Sequence, residues 1–180
     1  MPDANPDGHT WIEAVLETYE RRLVAYARRL CGDPDVADDL VQDTFLHLCR
    51  RPLHPRDPRL GPWLYKVCRH RAIDRLRKEG RLRAWPDPDD TASPSPWTEP
   101  QRRAETVDDV AQLTAGIAAL PPRQAEVLWL RFHADLAYRQ IAEVTGLTVT
   151  NVGFLLHRAL NTLRGALDRV ENPQRVRGAS

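Results

Sequence analysis

Apolar residues recur at steps of three and four along most of the chain, and no stretch alternates between apolar and polar positions. Such spacing is typical of amphipathic helices, whereas alternation is typical of strands. The pattern predicts an all-α protein with two small helical domains joined by a flexible linker, the second domain containing a helix-turn-helix. We place these segments at 1–84, 85–106 and 107–172, followed by a flexible tail at 173–180. The linker is rich in Pro, Ser and Asp and contains Trp97, whose role the sequence leaves open.

The first domain begins with two predicted helices, each with one apolar stripe. Residues Thr10 to Glu13 have the spacing of a capping box, and Gly32 suits the end of the first helix. Asp33 and Pro34 then suit the cap and first residue of the second helix. The stripes consist of Ile12, Leu16, Tyr19, Leu23, Tyr26 and Leu30, and of Val36, Leu40, Val41, Thr44, Phe45 and Leu48. Both helices are therefore expected to face a common core.

The stretch from Trp63 to Arg83 predicts a third helix with a cationic surface. Pro62 suits its first position and Gly80 its end. Its buried face is predicted to contain Leu64, Val67, Cys68, Ala72 and Leu76, and its other faces carry Lys66, Arg69, Arg71, Arg75, Arg77 and Lys78. A cationic helix with aromatic rings at Trp63 and Tyr65 can bind phosphates and stack unpaired bases. A solvated basic face above a core that contains both rings is the alternative.

The second domain contains the spacing of a helix-turn-helix. Two apolar stripes precede it, at Val110, Leu113, Ile117 and Leu120, and at Ala125, Leu128, Trp129 and Phe132, separated by Pro121 and Pro122. In the motif itself, Ala142 allows two helices to approach, Gly146 makes the turn, and Val152 packs the second helix onto the first. Thr145 occupies a position where a larger apolar residue is more usual. A helical hairpin inside a larger bundle is the alternative.

The second helix of this motif separates apolar from polar positions. At about 3.6 residues per turn, one face is predicted to contain Val152, Leu156, Ala159, Leu160, Leu163 and Leu167. We name the opposite surface the reading face, because a recognition helix meets base edges there. The reading face consists of Thr150, Asn151, Phe154, His157 and Arg158.

The charge of the chain is nearly balanced overall but unevenly distributed. The formal net charge is +1 over 180 residues, yet residues 33–43 contain five aspartates and no basic residue, ahead of the basic stretch at 66–83. We name as the acidic face the polar positions of the second helix, which are Asp38, Asp39, Gln42 and Asp43. With no basic residue in this block, we expect these carboxylates to be available to a cationic partner, although a merely solvated surface is the alternative.

No pattern of catalytic or metal-binding residues accompanies these charges. The carboxylates lack a nearby nucleophile, a glycine-rich phosphate loop or a metal-ligand motif, so we predict that the protein is not an enzyme. His47 with Cys49, and Cys68 with His70, are spaced i, i+2 and point to different sides of a helix. There is also no CxxC motif, so we expect neither a metal ion nor a cofactor.

Cysteine usage and hydropathy indicate the compartment. Cys31, Cys49 and Cys68 are odd in number and fall on predicted helices, which is typical of reduced thiols in a cytosolic protein. No apolar run has the length of a membrane span, and the first ten residues lack the pattern of a signal peptide. We therefore expect a cytoplasmic protein that does not insert into a membrane.

Three segments in order resemble one known family. They are DPDVADDLVQDTFLHLCRRP, GPWLYKVCRHRAIDRLRKEGR, and ALPPRQAEVLWLRFHADLAYRQIAEVTGLT followed by HRAL. Their order and their spacing around a linker resemble an extracytoplasmic-function (ECF) sigma factor of the sigma-70 family, from bacterial RNA polymerase. The resemblance implies a two-domain helical protein that binds core polymerase, directs it to promoter DNA and is controlled by an anti-sigma factor.

The resemblance also implies a role for each surface. The acidic face at Asp38, Asp39, Gln42 and Asp43 would meet the clamp helices of the largest polymerase subunit. The minus-ten element would be recognised by Trp63, Lys66, Arg69, His70, Arg71, Arg75 and Arg77, with His70 in the part of the family that binds a flipped-out base. The minus-thirty-five element would be read by Arg139, Thr150, Asn151, Phe154, His157 and Arg158.

The sequence departs from the family on the reading face. The family usually has polar or basic residues where this chain has Gly153, Phe154 and Leu155. Apolar side chains contact thymine methyl groups, and they also suit a protein partner, so both interpretations stay open. A helix-turn-helix regulator that acts without polymerase is the alternative function, although it leaves the charges of the first domain unexplained.

Overall fold

The computed structural model describes residues 7–50, 53, 56–80 and 116–171. Their principal helices are α1 (Asp7–Cys31), α2 (Pro34–Arg50), α3 (Leu60–Lys78), α4 (Pro122–Phe132), α5 (Tyr138–Thr145) and α6 (Val149–Glu171). Residues 116–118 form one further helical turn, and no strand occurs in the described ranges. The all-α prediction is therefore confirmed.

The chain divides into two compact units. The first contains Met1–Arg83 together with Arg139–Gly146, and the second contains Ala84–Tyr138 together with Leu147–Ser180. The first break lies beside the predicted domain end at residue 84, whereas the grouping of Arg139–Gly146 with the first unit has no counterpart in the predicted boundaries. The linker at 85–106 with Trp97 and the tail at 173–180 lie outside the described residues, so the predicted domain limits stay a prediction.

The junction between α1 and α2 follows local chemistry. Gly32 adopts φ of 74°, and its backbone N–H donates to the carbonyl of Arg28 at 2.8 Å. Asp33 Oδ1 then accepts the backbone N–H groups of Asp35 at 3.0 Å and Val36 at 3.3 Å. These bonds satisfy groups that a helix end otherwise leaves unpaired, and both predicted end signals are confirmed.

Two predicted helix starts are wrong. The first helix begins at Asp7, so Thr10 lies within it and has no capping position. The third helix begins at Leu60, two residues before Pro62, because Asp57 nucleates an earlier turn. The Asp57 carboxylate accepts the backbone N–H of Arg59 at 2.9 Å, and its carbonyl accepts that of Leu60 at 2.9 Å.

The core of the first unit forms where α1, α2 and α3 pack against one another. Tyr26 and Tyr65 are fully buried and meet edge to face, with ring centroids 5.4 Å apart. Near the start of α3, a Cβ atom at Gly61 would lie only 3.1 Å from the Tyr19 hydroxyl, so a larger residue here would force the tyrosine ring to shift by a few tenths of an ångström. Most of the predicted stripe residues are buried here, including Leu23, Leu30, Leu40, Val41, Phe45, Leu48, Leu64, Cys68, Ala72 and Leu76.

In the second unit, α4 packs against α6 and is almost entirely buried. The predicted stripe residues Ala125, Leu128 and Trp129 lie in its core. Phe132 does not: it is exposed, because α4 ends at this residue and the chain turns away, with Asp135 in the left-handed region at φ of 54°.

The buried arc of α6 is rotated relative to the prediction. Val152, Leu156, Ala159 and Leu163 are buried as expected, but Leu155 is buried too. Leu160, which the pattern placed in the core, is exposed. The buried arc therefore extends to the side of the helix that carries Leu155 and stops short of Leu160 on the other side. The side chain of Leu167 lies outside those described.

We predict that the three thiols differ in reactivity. Cys49 is exposed, whereas Cys31 and Cys68 are buried and burial raises the pKa of Cys68 to about 12. Because the thiolate is the reactive form, an aromatic disulfide reagent at pH 8 should label Cys49 rapidly and the other two only after unfolding. A Cys49→Ser variant should lose the rapid phase alone. Rapid labelling of two thiols in the folded protein would contradict this packing.

Candidate protein and nucleic-acid interfaces

The acidic face lies on α2, next to basic residues from both neighbouring helices. Asp39, Gln42 and Asp43 are exposed and Asp38 is half-buried. Asp38 pairs with Arg28 of α1 at 3.4 Å, and Asp43 accepts a hydrogen bond from Arg71 of α3 at 3.0 Å. Asp38 and Asp43 therefore each have a basic partner that the neighbouring sequence does not contain, because the partners come from other helices.

These ion pairs are weak enough to be exchanged. Their side chains keep between 36% and 56% of their surface exposed, and pairs in such surroundings contribute about 0–1 kcal/mol. A cationic partner that approaches α2 can therefore replace Arg28 or Arg71 at little cost to the fold.

The acidic face borders the cationic side of α3 along one seam. Asp43 contacts Arg71. One turn earlier on α2, Asp39 lies close enough to act on Arg75, which is one turn later on α3. The pKa of Arg75 is raised chiefly by its hydrogen bond with Glu79 and by the charge of Glu79, with a smaller contribution from Asp39. Arg77 lies 3.9 Å from Asp74. Acidic residues thus surround part of the cationic surface.

The predicted minus-ten residues divide into exposed and buried groups. Lys66, His70, Arg75 and Arg77 are exposed, and Arg71 and Trp63 are half-buried. Arg69 is only 6% exposed, which contradicts its expected place on a solvated face. The reason is position: Arg69 lies one turn from Tyr65 and one turn from Ile73, and both are in the core. Its long stem suits such a site.

One aromatic contact was missed from the sequence. The His47 ring of α2 stacks on Trp63 of α3, with centroids 5.8 Å apart and planes 7° from parallel. His47 therefore covers one side of the ring predicted to meet unpaired bases. No local pattern signals this contact, because its two members lie on different helices.

The predicted minus-thirty-five residues lie on two helices. Arg139 is on α5, where it is exposed and 4.0 Å from Glu143. On α6, four members of the reading face are exposed and Asn151 is half-buried. The Asn151 backbone N–H donates to Thr148 Oγ1 at 3.2 Å, which caps the start of α6. The exposed members are Thr150, Phe154, His157 and Arg158.

The turn before α6 also has the chemistry that the motif predicts. Gly146 adopts φ of 77°, and its N–H donates to the carbonyl of Ala142 at 2.9 Å. Thr145, in its unusual buried position, satisfies its hydroxyl by donating to the carbonyl of Ile141 at 2.7 Å. A polar residue is thus accommodated here without an unpaired buried group.

Metal-binding clusters and membrane-spanning helices are both absent from the described residues. Among them, no three His, Cys, Asp or Glu side chains come together as a potential metal site. In the same part of the chain, no helix combines the length and apolar character needed to cross a membrane. The candidate functional sites are the charged and aromatic surfaces of α2, α3 and α6.

Comparisons with known proteins agree with this arrangement. The Sigma-70 region 2 family matches residues 15–82, which include α2 and α3, and the Sigma-70 region 4 family matches residues 111–163. The ECF RNA polymerase sigma factor SigD of Mycobacterium tuberculosis is 31% identical over 163 residues, covering 85% of this chain and 75% of SigD. The chain belongs to the ECF sigma factors. This membership favours a sigma factor over a regulator that acts without polymerase.

This sigma factor is also similar to a second curated relative and to a solved structure. The ECF sigma factor SigE of Mycolicibacterium smegmatis is 27% identical over 159 residues, and the match spans 88% of this chain but only 62% of SigE. The solved structure of the sigma factor RpoE in complex with the anti-sigma factor NepR, from Bartonella quintana, gives a TM-score of 0.62 at 22% identity. It covers 87% of this chain and 96% of RpoE, which supports the fold.

We predict that neighbouring residues of α3 differ in their effect on stability. Arg69→Ala removes a buried charged side chain and should lower the free energy of unfolding by about 1–3 kcal/mol. His70→Ala removes an exposed ring and should change it by less than about 0.5 kcal/mol. Urea unfolding followed by circular dichroism measures both. Equal effects would contradict the burial of Arg69.

Proposed function

We propose that this sigma factor binds core RNA polymerase through the acidic face and directs it to promoters through α3 and the reading face. The observation that carries the proposal is the seam between α2 and α3, where an acidic surface borders a cationic one. Oppositely charged surfaces on one small bundle suit a protein that binds a cationic protein and a nucleic acid together. The protein acts by binding, without a catalytic reaction of its own, in the cytoplasm.

On the polymerase side, Asp39 and Gln42 are the primary contacts. Both are exposed on α2, and neither takes part in the two ion pairs that engage Asp38 and Asp43. By resemblance, the clamp helices of the largest polymerase subunit supply the complementary surface. Binding there would release Arg71 from Asp43 and leave it available to phosphates.

On the minus-ten side, Lys66 and His70 are the exposed contacts and Trp63 the supporting ring. Unpaired bases stack on rings while cations hold the backbone, which is the chemistry these side chains present. Arg71, Arg75 and Arg77 supply further positive charge, and buried Arg69 is assigned to the fold instead of the DNA.

On the minus-thirty-five side, the reading face of α6 enters the major groove, as the second helix of a helix-turn-helix does. Exposed Thr150, His157 and Arg158 offer polar groups to base edges, and Arg139 on α5 suits a phosphate. An anti-sigma factor, such as the one bound to RpoE in the solved structure, is the proposed regulator.

Run-off transcription tests the proposal. Purified chain added to core RNA polymerase should produce specific transcripts from a library of genomic promoters, and core polymerase alone should produce none. Tight sequence-specific binding of the free chain to duplex DNA, with no transcript, would instead support the polymerase-independent regulator. Asp39→Lys should weaken core binding by at least about tenfold, because it sets like charges together.

Glu17→Lys is the matched control for that charge reversal. Glu17 is also an exposed carboxylate, but it lies on α1 and is not a member of the acidic face. Both variants should keep full helical content, because exposed charges contribute little to stability. If the two variants bind core polymerase equally well, the acidic face has no docking role.

We predict that His70→Ala impairs opening of the promoter more than recruitment. Loss of a stacking partner costs about 1–3 kcal/mol per base, or roughly a tenfold to hundredfold reduction in open complex. Binding to core polymerase should be unchanged. Permanganate reactivity of unpaired thymines measures opening on a double-stranded promoter.

A promoter with a mismatched minus-ten element should recover part of this loss, because its strands are already separated. Arg21→Ala is a control, since it removes an exposed side chain from α1. A His70→Ala protein that opens duplex promoters as well as the parent chain would show that α3 does not handle the opened strand.

A further inference from the structure

Phe154 stands out on α6 because it is exposed between buried residues. Its exposed fraction is 55%, whereas Val152, Leu155 and Leu156 are all buried. The two large residues of the apolar stretch at 153–155 therefore have different surroundings. Leu155 belongs to the core, whereas Phe154 is the large apolar residue of the reading face. Because Phe154 has little to pack against within the unit, its side chain is available to a partner.

The Phe154 ring is in contact with the side chain of Arg158. Its guanidinium carbon lies 5.6 Å from the Phe154 ring centroid, in a cation–π contact one helical turn along. A guanidinium stacked on a ring keeps its N–H groups directed outwards at its edge. The pair thus presents an apolar face and a cationic donor side by side on the reading face.

The rest of the surface indicates that this partner is DNA. Residues 149–165 contain two arginines, Arg158 and Arg164, and no acidic residue. This stretch therefore complements the negative charge of phosphate and has no carboxylate that could pair with a basic protein. His157 is engaged along the helix, because Asn161 Nδ2 donates to its Nε2 at 2.9 Å. The exposed Tyr138 ring lies against α6 at Gly153, where an added Cβ atom would meet it at an ordinary contact distance of 3.7 Å.

We propose that Phe154 is a specificity-determining residue that contacts the C5 methyl group of a thymine in the upstream promoter element. The proposal rests on the proposed function, in which α6 enters the major groove. Thymine is the base whose major-groove edge carries an apolar methyl group; the other bases present donors and acceptors there. Against another base, the Phe154 ring would cover polar groups that otherwise hydrogen-bond to water and would offer them no hydrogen bond in return. Phe154 therefore disfavours those bases at this position. Arg158 is the positioning residue that orients the ring.

Replacement of thymine by deoxyuridine tests this contact, because it removes only the methyl group and keeps every hydrogen bond. The upstream element is first selected from a randomised promoter library with the complete holoenzyme. Each thymine of that element is then replaced in turn, and promoter affinity is measured by competition. With the parent chain, we expect one thymine to show about a fourfold loss, the effect of one buried methyl group. With Phe154→Ala, that loss should disappear.

Leu160→Ala is the matched control. Leu160 is also an exposed apolar residue of α6, but it lies outside the reading face, so its variant should keep the deoxyuridine effect. Arg158→Ala should reduce the effect without abolishing it, because the ring remains but is no longer oriented.

Several results would overturn the proposal. They are a selected element without thymine on either strand, no deoxyuridine effect at any position, or an effect of equal size in Phe154→Ala. A Phe154→Ala variant that loses affinity for core polymerase instead would make this residue a protein contact. A holoenzyme that initiates at no promoter would overturn the proposed function as well, whereas initiation without a deoxyuridine effect contradicts this inference alone.

Discussion

Near the start of α3, Gly61 meets Tyr19 of α1 so closely that a single added Cβ atom would lie 3.1 Å from the hydroxyl oxygen. One turn later, Tyr65 packs edge to face on Tyr26, and both rings are fully buried. These contacts determine which side of α3 faces α1 and which faces solvent. The exposure of Lys66 and His70, the burial of Arg69 and the seam with α2 all depend on them.

The aspartates of α2 form ion pairs with arginines of the neighbouring helices in the free chain. Arg71 and Asp43 neutralise each other in the free chain, and Arg28 partly neutralises Asp38. Because these pairs are exposed, each is weak and can be exchanged for a stronger partner. In the free chain these pairs therefore neutralise part of the charge along the seam.

In the second unit, α6 contributes residues both to the core and to an exposed surface. Buried α4 occupies one side of α6, and the start of α6 is capped by Thr148. The reading face is left with polar groups, one phenyl ring and no carboxylate. Membership of the ECF sigma factors agrees with this division, because region 4 matches residues 111–163 and includes most of α6.

The sequence by itself determined the all-α class, the helix ends at Gly32, Asp33 and Gly146, and most of each buried stripe, because these features depend on residues within one or two turns. The comparisons confirmed the family that the motifs indicated. Tertiary structure alone decided the Asp43–Arg71 pair, the stacking of His47 on Trp63 and the exchange of Leu155 for Leu160 in the core. Each of these depends on which neighbouring helix covers a given face, and helical periodicity predicts that a face is covered without naming the helix that covers it.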